Sequence, residues 1–368
     1  MTDQIVMFAM KQSSWGQRRP IQWVPLELQI SNMRMKNVNI IRKEDLRNVD
    51  MLNGDLALSE PMLNDFLQVK HSLGELIYYH LPGLDKFVII HPLSLVNILR
   101  SFVTDEQFFP VDQNLNSILQ NLIKTGIINK TDLLQLWQQD HFHQYMQNDS
   151  SKEFVILLLQ HLDILINLKR SKQTHVYLVP CVIKTVRPSN FHYVENQKEN
   201  TICMRYTIAR HSIPTSLAYQ IVGALTCTWP LKYEDKQPYL YHKAAWFNVS
   251  DENELRIWIE GNHIIVMLTN DLALLYVMDV AASVQNVLQR ILSRPFCSII
   301  TALEQISQKK YQSCTMEVGV PCGHNVCYTS LQNVIMNEKW ICGQKMNHDT
   351  RYLRYWVFSK GKNNVVST

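Results

Sequence analysis

The sequence predicts an α+β protein: a winged-helix-like, mostly helical first half, then an antiparallel sheet with helices, then a small Cys/His-rich C-terminal tail. Three observations carry this. Apolar residues recur at helical spacing up to about residue 168, short β-rich runs take over from residue 176, and cysteines and histidines gather beyond Pro295.

Pro25 leads an amphipathic stretch over 26–30, and 42–48 continues with helix formers. Pro61 suits a first-turn position, where its fixed φ and missing N–H cost nothing. Met62, Leu63, Phe66 and Leu67 then share one face of a helix over 62–69. The period changes next: 75–79 and 87–90 are β-rich runs separated by Pro82-Gly83, the pattern of a strand pair. Pro92 opens a helix over 93–102, and a helix over 115–124 ends near Gly126. A short strand at 127–128 precedes a helix over 132–137 with Thr131 as its cap. Helices broken by a small hairpin are the ingredients of a winged-helix unit, and the apolar run 154–168 reads as the helix that closes it.

Beyond residue 176 the runs 176–179, 202–208, 244–249, 255–260 and 263–268 are short and rich in β-formers. Gly261-Asn262 between the last two is a hairpin signal. Stretches 213–225 and 272–292 read as helices; Val277, Val280, Val284, Val287 and Ile291 keep a helical rhythm in the second. Pro295 marks the boundary before the tail.

Composition narrows the function. A hydrophobic fraction of 46% against 18% charged residues excludes a disordered chain, and 368 residues allow two or three domains. With 11 glycines, phosphate-cradling Gly-rich loops are not expected, and a net charge of +4 does not by itself call for nucleic acid. The first residues lack a signal-peptide pattern, although 5–10 with Trp15 resemble the tail of a preceding element. The longest apolar runs, 154–159 and 272–278, fall far short of the roughly 18–20 residues a membrane span needs. A soluble, cytoplasmic chain is expected, its eight cysteines reduced or metal-bound and the sequons at Asn129, Asn148 and Asn248 unused.

No catalytic motif is complete, so an enzyme is not expected. Asn129-Lys130-Thr131-Asp132 matches the guanine-reading Asn-Lys-x-Asp of GTPases, but no phosphate loop accompanies it, and the bland reading is a turn with a Thr131 cap. His141 and His143 lie in a polar segment and read as a solvated loop; Cys181, Cys203, Cys227 and Cys297 read as core residues. A DNA-reading helix should be basic, yet the helix over 132–137 carries Asp132, Gln135 and Trp137, so nucleic acid is not an expected partner. In the tail, Cys322 and Cys327 are followed, after 14 residues, by Cys342 and His348, two ligand pairs at a spacing that suits zinc; His324 is an alternative ligand. Four protein ligands would make such a zinc structural. The competing reading is reduced cysteines in a small β-rich tail.

The stretch Gly74-Glu75-Leu76-Ile77-Tyr78-Tyr79, with Leu84-Asp85-Lys86-Phe87-Val88-Ile89-Ile90-His91-Pro92, resembles the COR (C-terminal of Roc) domain of Roco proteins. Trp15 and 20–26 resemble the start of that domain, 125–137 a following element, and Tyr177-Leu178-Val179-Pro180 the hinge into its second half; Ala245-Trp246 and the hairpin 255–268 resemble the second half more weakly. His91 and Ser94 depart from the family's acidic and aromatic residues around Pro92, and its Leu-Pro-x-Gly is reduced to Ile213-Pro214. The resemblance covers roughly residues 15–305. It implies a remnant or linker at 1–19, a COR-A-like winged-helix half at 20–170, a COR-B-like dimerisation half at 171–305 and the tail at 306–368. It also implies a non-catalytic regulatory and scaffold module that pairs with itself and with a Roc-type GTPase domain, here without that GTPase. Tyr78, Tyr79 and Phe87 are its candidate contact positions, with a place in the core as the other reading of each. Two alternatives stand beside it: a fragment of a Roco GTPase whose nucleotide site lies upstream, and a zinc-containing interaction protein.

No motif requires a cofactor, and the tail alone offers a metal site. If the tail pairs hold zinc, metal analysis of the purified chain should return about one zinc per chain, lost in Cys322→Ser/Cys342→Ser. A metal-free wild-type protein would retire the site.

Overall fold

Helix ends in this chain are set by a proline, a capping carboxylate and a left-handed glycine. Pro61 occupies the first turn of a helix preceded by Ser59. Asp112 caps another by accepting from the Leu115 N–H at 2.9 Å, and Gly126, at φ 70°, closes it.

The structure is a computed structural model that describes residues 2–11, 19–146, 148–168, 175–191, 201–208, 212–235 and 237–270, with short pieces at 283, 286–287, 316–321, 328–330, 333–334, 339–341 and 347–349. The elements run α1 (Thr2–Met10), α2 (Trp23–Met35), β1 (Ile40–Arg42), α3 (Lys43–Met51), α4 (Glu60–Ser72), β2 (Phe87–Ile89), α5 (Leu93–Leu99), α6 (Gln113–Thr125), β3 (Ile127–Asn129), α7 (Lys130–Trp137), α8 (Asp140–His143) and α9 (Asp149–His161). Then come β4 (Ile166–Asn167), β5 (Val176–Leu178), β6 (Thr201–Ile208), α10 (Thr215–Thr228), β7 (Tyr233–Glu234), β8 (Gln237–Pro238), β9 (Leu240–Tyr241), β10 (Ala244–Asn248), β11 (Asn253–Glu260), β12 (His263–Asn270), β13 (Met316–Pro321), β14 (Tyr328–Ser330), β15 (Lys339–Ile341) and β16 (Asn347–Asp349). The α+β class holds, with helices dominating to α9 and a seven-stranded antiparallel sheet with α10 after it.

The chain divides into two units, Met1–Thr104 with Leu134–Leu159, and Asp105–Leu133 with Gln160–Thr368. The first unit is built on one apolar cluster: Trp23, Leu26 and Ile30 of α2, Leu46 of α3, Leu63, Phe66 and Leu67 of α4, and Leu76, Tyr78, Val88 and Ile90 around β2. Strand β2 pairs with β1, a partner the sequence reading missed. The expected pairing of 75–79 with 87–90 shrinks to a single bridge, Ile77 to Ile89. Further along, the indole of the fully buried Trp137 donates to Ser101 Oγ at 2.9 Å, and Phe87 stacks on Phe154 of α9 at 4.9 Å.

The second unit holds a three-stranded sheet of order β3-β5-β4 and the seven-stranded sheet of order β14-β13-β6-β12-β11-β10-β9. Helix α6 leads directly into β3, an edge strand of the first of these sheets. In the large sheet one face carries Ala245, Phe247, Leu255, Ile257, Ile264, Val266, Leu268 and Met204, all buried, and α10 neighbours β10. The opposite face carries Trp258, Ile265 and Met267, clustered with Phe191. Burial on both faces explains why these strands read as near-continuous apolar runs rather than alternating ones.

Two expectations change. The apolar run 154–168 is not one helix: α9 ends at His161, Asp163 turns left-handed at φ 56°, and Ile166–Asn167 is a strand. Apolar periodicity alone cannot tell a buried helix end from a buried short strand. Thr131 is inside α7 rather than capping it, because the helix begins one residue after Asn129. The expected helix 272–292 lies outside the described residues except at isolated positions.

Gly126 is constrained in both backbone and space. Its φ is left-handed, and an added Cβ would sit 2.9 Å from both Ile183 Cγ1 and Cδ1. Gly126→Ala should therefore lower stability by about 1–3 kcal/mol, read as a shifted midpoint in urea unfolding.

Candidate functional site

Helix α2 has two apolar sides, and only one is spent on the core. Trp23, Leu26 and Ile30 are buried, whereas Val24 is 48%, Leu28 63% and Met35 73% exposed, with Ile21 at 78% just ahead of the helix. Spacings of three, four and seven place these four along a single outward stripe. Gln29 ties this helix to α3 through the Asn53 amide at 2.9 Å, and the end of α3 adds exposed Met51 and Leu52. An outward stripe of this kind is an unusual feature for the surface of a monomer and suits a protein partner.

Charge pairs hold the frame beneath. Lys70 is buried, and its ammonium sits 2.7 Å from both Glu27 Oε1 of α2 and Glu75 Oε2. Arg34 Nε donates to the Ile90 carbonyl at 2.6 Å, fastening the end of α2 over the strand pair. Glu60 accepts from Lys43 and from Arg47, and the Lys43 hydrogen bond holds its carboxyl below the ordinary range.

The predicted contact residues fall inside this frame. Tyr78 is 2% exposed, its hydroxyl lying 3.1 Å from His80 Nδ1 and 3.3 Å from Asn64 Oδ1, and Phe87 is stacked on Phe154. Both are core residues and not docking positions. Tyr79 is half-buried, edge-on to His71 at 4.9 Å. Burial pushes both tyrosine hydroxyls above their ordinary pKa.

The other singled-out residues do not converge. Asn129 Nδ2 donates to Asp132 Oδ2 at 3.4 Å, so the two guanine-reading types of the Asn-Lys-x-Asp match bond each other. His141 and His143 are exposed on the single helical turn α8 rather than in a loop. Cys203 packs against the sheet cluster, and burial pushes its thiol up to about 12. Cys181 is partly buried and its thiol is likewise raised, whereas Cys227 is exposed, not a core residue. Cys297, Cys322, His324, Cys327 and Cys342 lie outside the described residues. His348 belongs to β16, opposite Trp340 of β15. The middle of α9 is buried, and its Lys152 pairs with Asp149 at 3.2 Å. No helix among the described residues is long and apolar enough to cross a membrane.

Comparison with known proteins gives three findings. Residues 20–183 match the family model "C-terminal of Roc, COR-A domain". The chain is 27% identical over 116 residues to "Probable serine/threonine-protein kinase roco6" of Dictyostelium discoideum, covering 30% of this chain and 5% of that protein. It is 28% identical over 125 residues to "Probable serine/threonine-protein kinase pats1" of the same organism, covering 33% of this chain and 3% of that protein. The chain thus spans a twentieth or less of the length of these relatives. A solved structure of Methanosarcina barkeri Roco2 RocCORdC bound to GDP has a TM-score of 0.38 at 13% identity over 50% of each chain.

The Lys70 cluster generates an asymmetric expectation. Lys70 is buried, while Glu27 and Glu75 keep 36% and 43% of their side chains exposed. Stranding the ammonium is worse than freeing the carboxylates, which can turn to water. Glu27→Gln/Glu75→Gln should cost about 2–3 kcal/mol in urea unfolding and Lys70→Met about 1 kcal/mol or less; the reverse order would contradict this assignment.

Proposed function

Residues 20–183 are a COR-A domain, the domain C-terminal of Roc, and from that premise we propose that the chain is a non-catalytic regulatory and scaffold module. Its α2 face docks a Roc-type GTPase domain, and residues roughly 175–305 pair with a second copy. The observation that carries the docking half is the outward stripe Ile21, Val24, Leu28 and Met35, held rigidly by the inward half of the same helix. An exposed apolar centre flanked by the polar side chains of Glu27 and Arg34 has the anatomy of a protein interface, in which a desolvated centre supplies affinity and a polar rim supplies register. The kinase activity in the names of the two Dictyostelium proteins belongs to those much longer chains and is no part of the proposal.

The test is calorimetric titration of the full chain with a purified Roc-type GTPase domain, alongside light scattering of the chain alone. Saturable binding is expected, weakened about tenfold or more by Val24→Glu/Leu28→Glu and unchanged by Leu93→Glu, which also sits at an exposed apolar position. Dimerisation should appear as a mass that rises with concentration. A monodisperse monomer that takes up no GTPase domain would sink both halves of the reading.

A further inference from the structure

The sheet made by β1 and β2 has an open edge, and a cleft runs beside it. Register decides which main-chain groups face outward. The Lys43 N–H donates to Lys86 O at 2.8 Å and the Ile90 N–H to Asn39 O at 3.0 Å, so residues 39, 41 and 43 turn toward β2. Ile40 and Arg42, at the alternate positions, therefore turn their main-chain groups away from β2. The far side of β2 is already taken, since Ile89 exchanges both bonds with Ile77. Among the described residues only β1 leaves this small sheet open.

Along that edge lies a cleft of about 340 Å³, lined by residues 36–42 together with Gln144, Tyr145, Asn148 and Ser151 of the same unit. Its size falls within the range of ligand sites, but its lining is mainly main chain and polar side chains. That favours an occupant rich in hydrogen-bonding groups over an apolar small molecule. The charge is one-sided as well. Lys36 and Arg42 are exposed on the cleft with no anionic partner among the described residues, whereas neighbouring Lys43 and Arg47 are neutralised by Glu60. Asp45 also lines the cleft, but it sits in the first turn of α3, where the helix N-terminus already favours a carboxylate.

We propose that this cleft docks an extended acidic peptide segment of a partner protein, which adds as a strand to the free edge of β1 and places its carboxylates on Lys36 and Arg42. The main-chain groups of Ile40 supply ladder bonds that any sequence can make, and the two cations supply the selection. Exposed edge strands recruit other chains by the same physics that makes them an aggregation hazard. Here the edge is three residues long and flanked by cations, which limits it to a short acidic segment. This site is separate from the α2 stripe and requires no GTPase domain, so its failure would leave the docking reading untouched.

The probe is a fluorescein-labelled heptapeptide alternating valine and glutamate, titrated with the full chain and followed by fluorescence anisotropy. Amide hydrogen exchange is followed in parallel. Saturable binding is expected, at least about tenfold weaker for the lysine counterpart peptide and for Lys36→Glu/Arg42→Glu, with exchange at the Ile40 amide slowed by the peptide. Arg42→Gln, a milder change at an exposed position, should weaken binding in the same direction while leaving the unfolding midpoint in place. Absence of saturable binding, equal binding of the lysine peptide, or an Ile40 amide that exchanges unchanged would each overturn the proposal. Displacement of the peptide by an equal concentration of inorganic phosphate would overturn it too, since that would mark an anion site with no added strand.

Discussion

The edge-on contact between Trp23 and Phe66, ring centroids 5.4 Å apart at 85°, decides which way α2 faces. Both rings sit in the core of the first unit, and burying side chains of this size contributes roughly 1.5–3 kcal/mol each. With the indole turned inward, Leu26 and Ile30 follow it at one turn's spacing, and Val24, Leu28 and Met35 have no choice but to face out. Lys70 reinforces the choice by holding its ammonium 5.9 Å from the Phe66 ring centroid while bonding Glu27 of α2. The exposed stripe is thus a consequence of the core: the helix is fixed from behind, so its outer side is presented without loss of order.

A similar economy governs the large sheet, where the difficulty is a cation rather than an apolar stripe. Arg256 lies mid-strand on β11 and is 6% exposed. Its guanidinium carbon sits 3.6 Å from the Trp246 ring centroid, and its Nη1 donates to the Phe191 carbonyl at 3.0 Å. Lys232 approaches the same indole at 4.2 Å and is paired with Glu254, which also accepts from Trp246 Nε1. Delocalised charge tolerates an aromatic, half-dry setting far better than a point charge would. Burial nevertheless lowers the Arg256 pKa, so the guanidinium is held at some cost and in return anchors Phe191 over the apolar face.

What the sequence made legible follows from how local each signal is. Pro61, Gly126 and Gly261-Asn262 act on their immediate neighbours, and the elements they bound appear close to where the pattern places them. The β1–β2 pair was not legible, because its partners are separated by a helix–loop–helix and a three-residue strand leaves no period to read. For Tyr78 and Phe87 the sequence leaves contact and core both open, because an aromatic in a short β-rich run has the same signature whether it faces a partner or its own core. The stripe on α2 was hidden for the opposite reason. The pattern marks only 26–30 as amphipathic, so Leu28 falls inside that stretch and Met35 beyond it, and neither stands out until the core claims Leu26 and Ile30.

Apart from Glu60, whose carboxylate is favoured by Lys43, the perturbed groups in the described residues shift toward their neutral forms, and that bears on chemistry. Desolvation raises the thiols of Cys181 and Cys203 and the hydroxyls of Tyr78, Tyr79 and Tyr219, and the Glu234 hydrogen bond pushes Tyr239 up to about 12. A nucleophile needs the opposite, a lowered pKa or an adjacent base that exposes the anion near neutral pH. These shifts instead deepen the neutral, inert form. The same reasoning applies to His263, whose pKa falls because burial and the neighbouring Arg205 both disfavour imidazolium. Among the described residues the electrostatics therefore serve the frame, and the surfaces left to act are those with unspent apolar area and unpaired charge, the two sides of one continuous segment from Ile21 to Arg42.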